Sequence, residues 1–392
     1  MYVTMYRGAR ADFRFFAKGK LIRRCGLAIH RDRAQSGATM VATAGNISSA
    51  RVESNGLVRP RALARWLLVV AAMIVLMVVV GGITRLTESG LSITQWDPIT
   101  GVVPPLTHAQ WQAEFDHYRQ IDQYAAVHAG MTLAQFKGIF FWEYFHRLLG
   151  RLIGLVFFVP LVWFWAKRQI PRGFHWRLVA LLALGGLQGV FGWLMVRSGL
   201  QPGMVEVAPG WLATHLLTAL FTMAAILWTA LDLLTLEANP AARPARLTGF
   251  GAVAGVVLAI QLLYGALMAG LRAGLVTDQW PLMNGVFWPG PTQTGESLGH
   301  ALFADPAIVH FIHRWWAWVT VAALVWLARK VRKTKRRASV AIHIAFGTQI
   351  VLGIGVVMMH VPTWLAALHQ LVGALVAAAT AWGIHVLGRR TA

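Results

Sequence analysis

Eight apolar runs, each long enough to cross a bilayer, constrain this chain more than any other feature. They lie at about residues 66–83, 139–166, 178–196, 210–232, 248–271, 307–328, 338–360 and 364–387. A crossing helix needs about 20 apolar residues at 1.5 Å of rise each. Composition agrees: the 392 residues are 57% hydrophobic and only 13% charged, where soluble domains carry about 25% charged residues. The expected class is an all-α polytopic membrane protein with eight transmembrane helices.

The charges then orient it. The net charge of +21 could suggest nucleic acid, but its placement argues against that partner. Fifteen Lys and Arg lie in the loops 167–177, 233–247 and 329–337 and at the C-terminus, against five in the opposite loops. That asymmetry is the positive-inside pattern and puts both termini in the cytoplasm. The two long loops, 84–138 and 272–306, face outside. The first carries Trp96-Asp97-Pro98 and a stretch from His108 to Lys137 suited to amphipathic surface helices. The second carries Asp278-Gln279-Trp280-Pro281. Aromatic residues at this density fit either ordered caps or an ordinary interfacial belt.

Residues 1–60 form a basic tail with three acids, Asp12, Asp32 and Glu53, and without an apolar signal core. The tail reads as a disordered cytoplasmic extension, or as residues ahead of a start at Met40. An Arg-rich mitochondrial transit peptide is the alternative. Cys25 is the single cysteine, so neither an intramolecular disulfide nor a cysteine-based metal site can form.

The spans repeat. Gly82-Ile83-Thr84-Arg85 ends the first and Gly270-Leu271-Arg272 the fifth; His146-Arg147 in the second returns as His313-Arg314 in the sixth. Gly186-Leu187-Gln188 with Gly192 in the third returns as Gly347-Thr348-Gln349 with Gly353, and His215 in the fourth returns as His369. Four spans per copy is an even number, so both copies share one orientation, as a parallel repeat. Two pseudo-symmetric four-helix bundles follow, 61–235 and 245–388.

Of fourteen histidines, His146, His215, His313 and His369 lie inside even-numbered spans, at a matched depth of roughly 8–10 Å. Ionisable residues in a span are functional by default. A lone histidine there would be a packing or hydrogen-bonding residue, but four in a repeated frame point to ligation. Two imidazoles per bundle, on different helices, suit axial ligation of heme iron better than a zinc site. The span glycines would let a flat macrocycle lie close, or simply let helices pack. Arg147 and Arg314 can pair propionates or anchor at the interface. The repeat breaks at one place: Glu143 stands three residues before His146, and His310 three before His313. Residues three apart share a helix face, so Glu143 is either a proton-moving group beside a reactive heme or a charge partner for Arg147 or Arg85. A reactive site in the first bundle and a structural or redox heme in the second is the reading favoured.

On these residues the chain resembles the heme A synthase family. The likeness rests on the Gly81–Ser92 stretch, Glu143-Tyr144-Phe145-His146-Arg147 and Leu368-His369-Gln370. It extends to Gly186-Leu187-Gln188-Gly189 leading to Ser198-Gly199-Leu200, and to Pro281-Leu282-Met283-Asn284-Gly285. The resemblance implies heme O as substrate, its C8 methyl becoming a formyl group through successive hydroxylations and loss of water. It implies heme b on His313 and His369, substrate heme on His146 and His215, and Glu143 as the catalytic carboxylate. Arg147, Arg314, Arg85 and Arg272 are the expected propionate contacts. It further implies a role in terminal oxidase biogenesis, with a heme O synthase as a partner besides the lipid bilayer; oligomeric assembly stays open. Some members of the family carry a cysteine pair in an outer loop; this chain has none there and resembles the cysteine-free branch typical of alphaproteobacteria and mitochondria. The expected location is the bacterial inner membrane, with the mitochondrial inner membrane as alternative. A two-heme b-type electron-transfer cytochrome is the competing function, although its hemes are usually stacked at different depths. A transporter with a parallel repeat would instead show broken helices near the midplane.

Overall fold

The computed structural model describes residues 58–97, 100–292 and 297–389. The basic tail with Cys25 and Met40, Pro98 in the first loop, and Arg390 lie outside these described residues. The helices are α1 (Pro60–Leu86), α2 (His108–Tyr118), α3 (Asp122–Val127), α4 (Leu133–Ala166), α5 (His175–Gly199) and α6 (Pro209–Ala238). They continue as α7 (Gly249–Gly270), α8 (Leu298–Ala304), α9 (Pro306–Arg332), α10 (Arg336–Met358) and α11 (Thr363–Arg389). Eight of them, all but α2, α3 and α8, are long and apolar enough to cross a membrane.

Local sequence sets where these helices begin. Pro60, Pro209 and Pro306 occupy first positions, where a missing N–H costs nothing because it would have no intrahelical partner. Helix α4 starts at Leu133, two turns before its apolar run. A capping box holds it: Gln135 N donates to Thr132 Oγ1 at 3.3 Å, and Thr132 N donates to Gln135 Oε1 at 2.8 Å. Those extra turns bury Phe136 and Phe140 against Phe115 and Tyr118 of α2, a small apolar cap over the loop end of the first bundle. Burial pushes the Tyr118 phenol up, with the carboxylates of Glu88 and Glu143 adding to the effect. Its hydroxyl lies 3.0 Å from Gln123 Oε1 and 2.5 Å from His128 Nδ1.

The eight long helices pack as two rings of four. In the first ring α1 contacts α4, α4 contacts α5, α5 contacts α6, and α6 returns to α1; α7, α9, α10 and α11 close the second in the same order. The seam between them is built from α1, α6, α7 and α11, and α11 is the most enclosed span. Within each ring α4 and α6, or α9 and α11, stand diagonally opposite. The main apolar core lies toward the end at which α1 begins and α11 finishes, running from Leu63 to Val78 on α1 and from Ala374 to Val386 on α11. At that end Asp232 of α6 is buried at the seam. It accepts hydrogen bonds from Arg177 at 2.9 Å and Ala245 N at 2.9 Å, and His385 Nε2 lies 3.0 Å away. The four span histidines lie toward the opposite, loop-bearing end, outside that core.

Helix α9 is anchored at that end by Asp305. One carboxylate oxygen accepts from Ala307 N and Ile308 N at 2.9 and 3.0 Å, the other from Thr292 N at 2.6 Å. Burial alone would raise its carboxyl, but the Thr292 hydroxyl and these backbone donors outweigh burial and hold it below the usual range. A depressed folded-state value means stabilisation that is complete above the ordinary carboxylate range and lost as pH falls through the folded value. Asp305→Ala is expected to cost about 1–2 kcal/mol at neutral pH, as N-cap losses do. In thermal melts of detergent-purified protein its deficit against the parent should shrink on acidification.

Candidate functional site

Each of the four histidines sits in the same packing unit. An even-numbered span carries the imidazole, and the span before it presents a glycine at a position where a side chain would crowd the ring. A Cβ on Gly81 of α1 would stand 2.9 Å from His146 Cε1, and one on Gly192 of α5 would stand 3.3 Å from His215 Cε1. The same construction gives 3.1 Å between Gly265 of α7 and His313, and 3.0 Å between Gly353 of α10 and His369. The glycines therefore do more than thin a helix: they seat the rings edge-on.

A glutamine four residues before the glycine completes three of the four units, because residues four apart share a helix face. Gln261 Nε2 donates to His313 O at 3.1 Å and lies 3.2 Å from His313 Nδ1. Gln349 Nε2 lies 3.2 Å from His369 Nε2. Gln188, with its amide turned to satisfy its neighbours, donates to His215 O at 3.1 Å and reaches Nδ1 at 3.2 Å. The fourth unit has Met77 in that place, and His146 Nδ1 is buried without a hydrogen-bond partner. Sequence reading had singled out Gln188 and Gln349 as repeat markers but missed Gln261, and gave none of them a role. The signal was available: Gln188/Gly192, Gln261/Gly265 and Gln349/Gly353 share one spacing.

Next to His146 and His313, two arginines tie the long loops down. Arg147 donates to Ile93 O at 2.7 Å and Gln95 O at 3.0 Å, and lies over the Trp96 ring. Arg314 donates to Pro281 O and Leu282 O, both at 3.0 Å, and lies over the Trp280 ring. Each arginine also meets the side chain one turn before it, and here the halves part. Arg147 pairs with Glu143 at 2.6 Å, and Arg314 NH2 lies 3.0 Å from His310 Nε2. Since a guanidinium can only donate, that nitrogen is the acceptor.

Glu143 is 3% exposed and accepts from both sides. Oε1 receives Arg147, while Oε2 receives Ser92 Oγ and Ile93 N, each at 2.8 Å. Of the two charge partners open to it, the structure gives it Arg147. Arg85 is engaged elsewhere: it donates to Glu206 at 2.8 Å, and Arg272 bridges Glu206 and Glu88, the latter at 2.7 Å. This four-residue network joins the end of α1 and the turn after it, the α5–α6 loop and the segment just after α7, so it ties the two rings at the loop end. All four arginines expected to meet propionates thus have protein partners.

These residues fit heme. The bundles offer two pairs of imidazoles on diagonal helices, His146 with His215 and His313 with His369. At His215 and His313 the amide contacts take up Nδ1 and leave Nε2 for a metal. Among the described residues, no cluster of three or more His, Cys, Asp or Glu is placed to hold a bare metal ion.

Comparison with known proteins gives the same answer. Residues 64–381 match the COX15-CtaA family model, described as cytochrome oxidase assembly protein. The chain belongs to this family. A relative named heme A synthase from Novosphingobium aromaticivorans is 57% identical over 338 residues, covering 84% of this chain and 96% of its own. Relatives of the same name from Erythrobacter litoralis and Rhodospirillum centenum are 55% and 42% identical, covering 83% and 88% of this chain and 97% and 93% of theirs. In a COX15-CtaA chain the glycine seats are open to a direct test. Gly265→Val should push the His313 ring aside and remove one heme per chain by pyridine hemochrome assay, with helix content by circular dichroism unchanged.

Proposed function

We propose that this chain is a heme A synthase, with the substrate heme in the first ring of helices and heme b in the second. Membership of the COX15-CtaA family and the names of its relatives support the reaction. One observation supports the division of labour: a duplicated histidine–glycine frame carries a buried carboxylate, Glu143, in one copy and a neutral imidazole, His310, in the other. Electron storage needs no such carboxylate, so the two-heme cytochrome reading gains nothing from it.

The substrate is heme O, whose C8 methyl is hydroxylated twice and loses water to leave the formyl group. His146 and His215 orient it. Heme b, on His313 and His369, supplies one-electron redox chemistry. Glu143 is held beside His146 by three donor groups, and Ser92 can rotate its hydroxyl away, which frees one carboxylate lone pair for a proton. That is the proton which must move when the diol collapses. Arg147 fixes one carboxylate oxygen of Glu143 and holds the 93–96 loop down on α4, which limits water. A propionate would have to share its guanidinium, or that of Arg314, Arg85 or Arg272, with the partners described above. With both termini cytoplasmic, both sites lie toward the outer leaflet of a bacterial inner membrane. A farnesylated substrate would then arrive through lipid or from a heme O synthase, and self-association is compatible with the exposed apolar flanks.

Two variants separate the halves. Glu143→Gln keeps the shape and is expected to lower heme A formation by about 10²–10⁴-fold, the usual contribution of a proton-transfer group, with heme content intact. Unchanged heme A output would remove Glu143 from the chemistry. His313→Ala should lose heme b and keep the substrate heme; retention of a full complement of heme b would reverse the assignment of the two rings.

A further inference from the structure

Three of the four histidine units carry a glutamine one turn before the glycine, and one does not. Gln188, Gln261 and Gln349 each bring a carboxamide within 3.2 Å of an imidazole nitrogen. Met77 takes the matching place on α1. Its methyl lies 3.4 Å from where a Cβ on Gly150 would stand, and Gly150 is one turn beyond His146. In the second ring the amide of Gln349 lies 3.3 Å from the same construction on Gly373, one turn beyond His369. Met77 and Gln349 therefore fill equivalent space against equivalent helices. Only their chemistry differs: a thioether has no N–H and is a weak acceptor.

The consequence falls on His146, the one of the four with no amide at either ring nitrogen; its Nδ1 is buried and unpartnered, as is that of His369, where the Gln349 amide lies at Nε2 instead. A partner on the second nitrogen of a ligating histidine fixes the ring's orientation and tautomer and makes the ring a better ligand. Loss of such a partner costs about 10–100-fold in metal affinity. We propose that His146 is the weakly held axial ligand of the first ring, and that Met77 is the positioning residue that makes it so. Its partner across the ring, His215, is held at Nδ1 by Gln188, as His313 is by Gln261; at His369 the Gln349 amide lies at Nε2 and Nδ1 has no partner. The inference rests on the reading that the first ring takes the substrate heme, and it deepens that reading. A substrate must load and its product leave on every turnover, whereas a cofactor stays. A ligand that lets go belongs in the exchanging site, and the one substituted unit is in the ring that also carries Glu143.

The test is Met77→Gln in the full chain, co-expressed with a heme O synthase and purified with its hemes. Gln at this position fits by analogy with the three sister units. Extracted hemes are identified, and imidazole is titrated against the bound ferric hemes by optical and electron paramagnetic resonance spectra. In the parent, one heme per chain should exchange its ligand readily. In Met77→Gln that exchange should need about 10-fold more imidazole, and more heme A should co-purify. Gln188→Met, which strips the amide from His215, should shift the titration the other way and serves if Met77→Gln does not load heme. An unchanged titration in loaded Met77→Gln overturns the proposal and leaves the synthase reading standing, as does a change in heme occupancy alone. A parent protein that holds only heme b overturns both.

Discussion

The close approach of an imidazole to a helix glycine is the contact on which the rest of this structure depends. A histidine inside a span has no water to turn to, so its ring must be placed by protein. Glycine allows the neighbouring backbone to come within van der Waals reach, and in three of the four units a carboxamide one turn away supplies the polar contact. The pair of helices that makes one such unit is used four times. Two units set diagonally across a ring put one imidazole on each of two opposite helices, and the arrangement is repeated in the second ring. Substitution at any of Gly81, Gly192, Gly265 or Gly353 would meet the ring first.

The loop end closes what the units open. Arg147 and Arg314 do the same work in each ring, drawing backbone carbonyls of a long loop down onto a span and stacking on a loop tryptophan. The network of Arg85, Glu206, Arg272 and Glu88 then ties one ring to the other. Against that shared frame, two departures fall in the same ring. A carboxylate replaces an imidazole at Glu143, and a thioether replaces an amide at Met77. On the function proposed above, that is the ring in which chemistry and exchange would take place, so a nearly symmetric scaffold would owe its division of labour to these two departures.

What the sequence determined by itself is the part governed by local, periodic rules. Runs of apolar residues set the spans, because the bilayer demands length and hydropathy and little else. Loop charge, the repeated His-Arg pairs and the contrast between Glu143 and His310 were legible for the same reason: each is a pattern along the chain. Boundaries were less legible. Hydropathy could not show that α4 begins at Leu133, since its first turns are set by a Thr132–Gln135 cap and by packing on α2. The partners of the polar residues belong to the tertiary structure alone. Only folding could decide that Glu143 pairs with Arg147 rather than Arg85, that Gln261 reaches His313, and that His146 has no amide. Each of those pairings joins residues on different elements or selects one of several candidates within reach. A buried polar group takes whichever partner the packed backbone brings to hydrogen-bonding distance, and that choice is written in three dimensions.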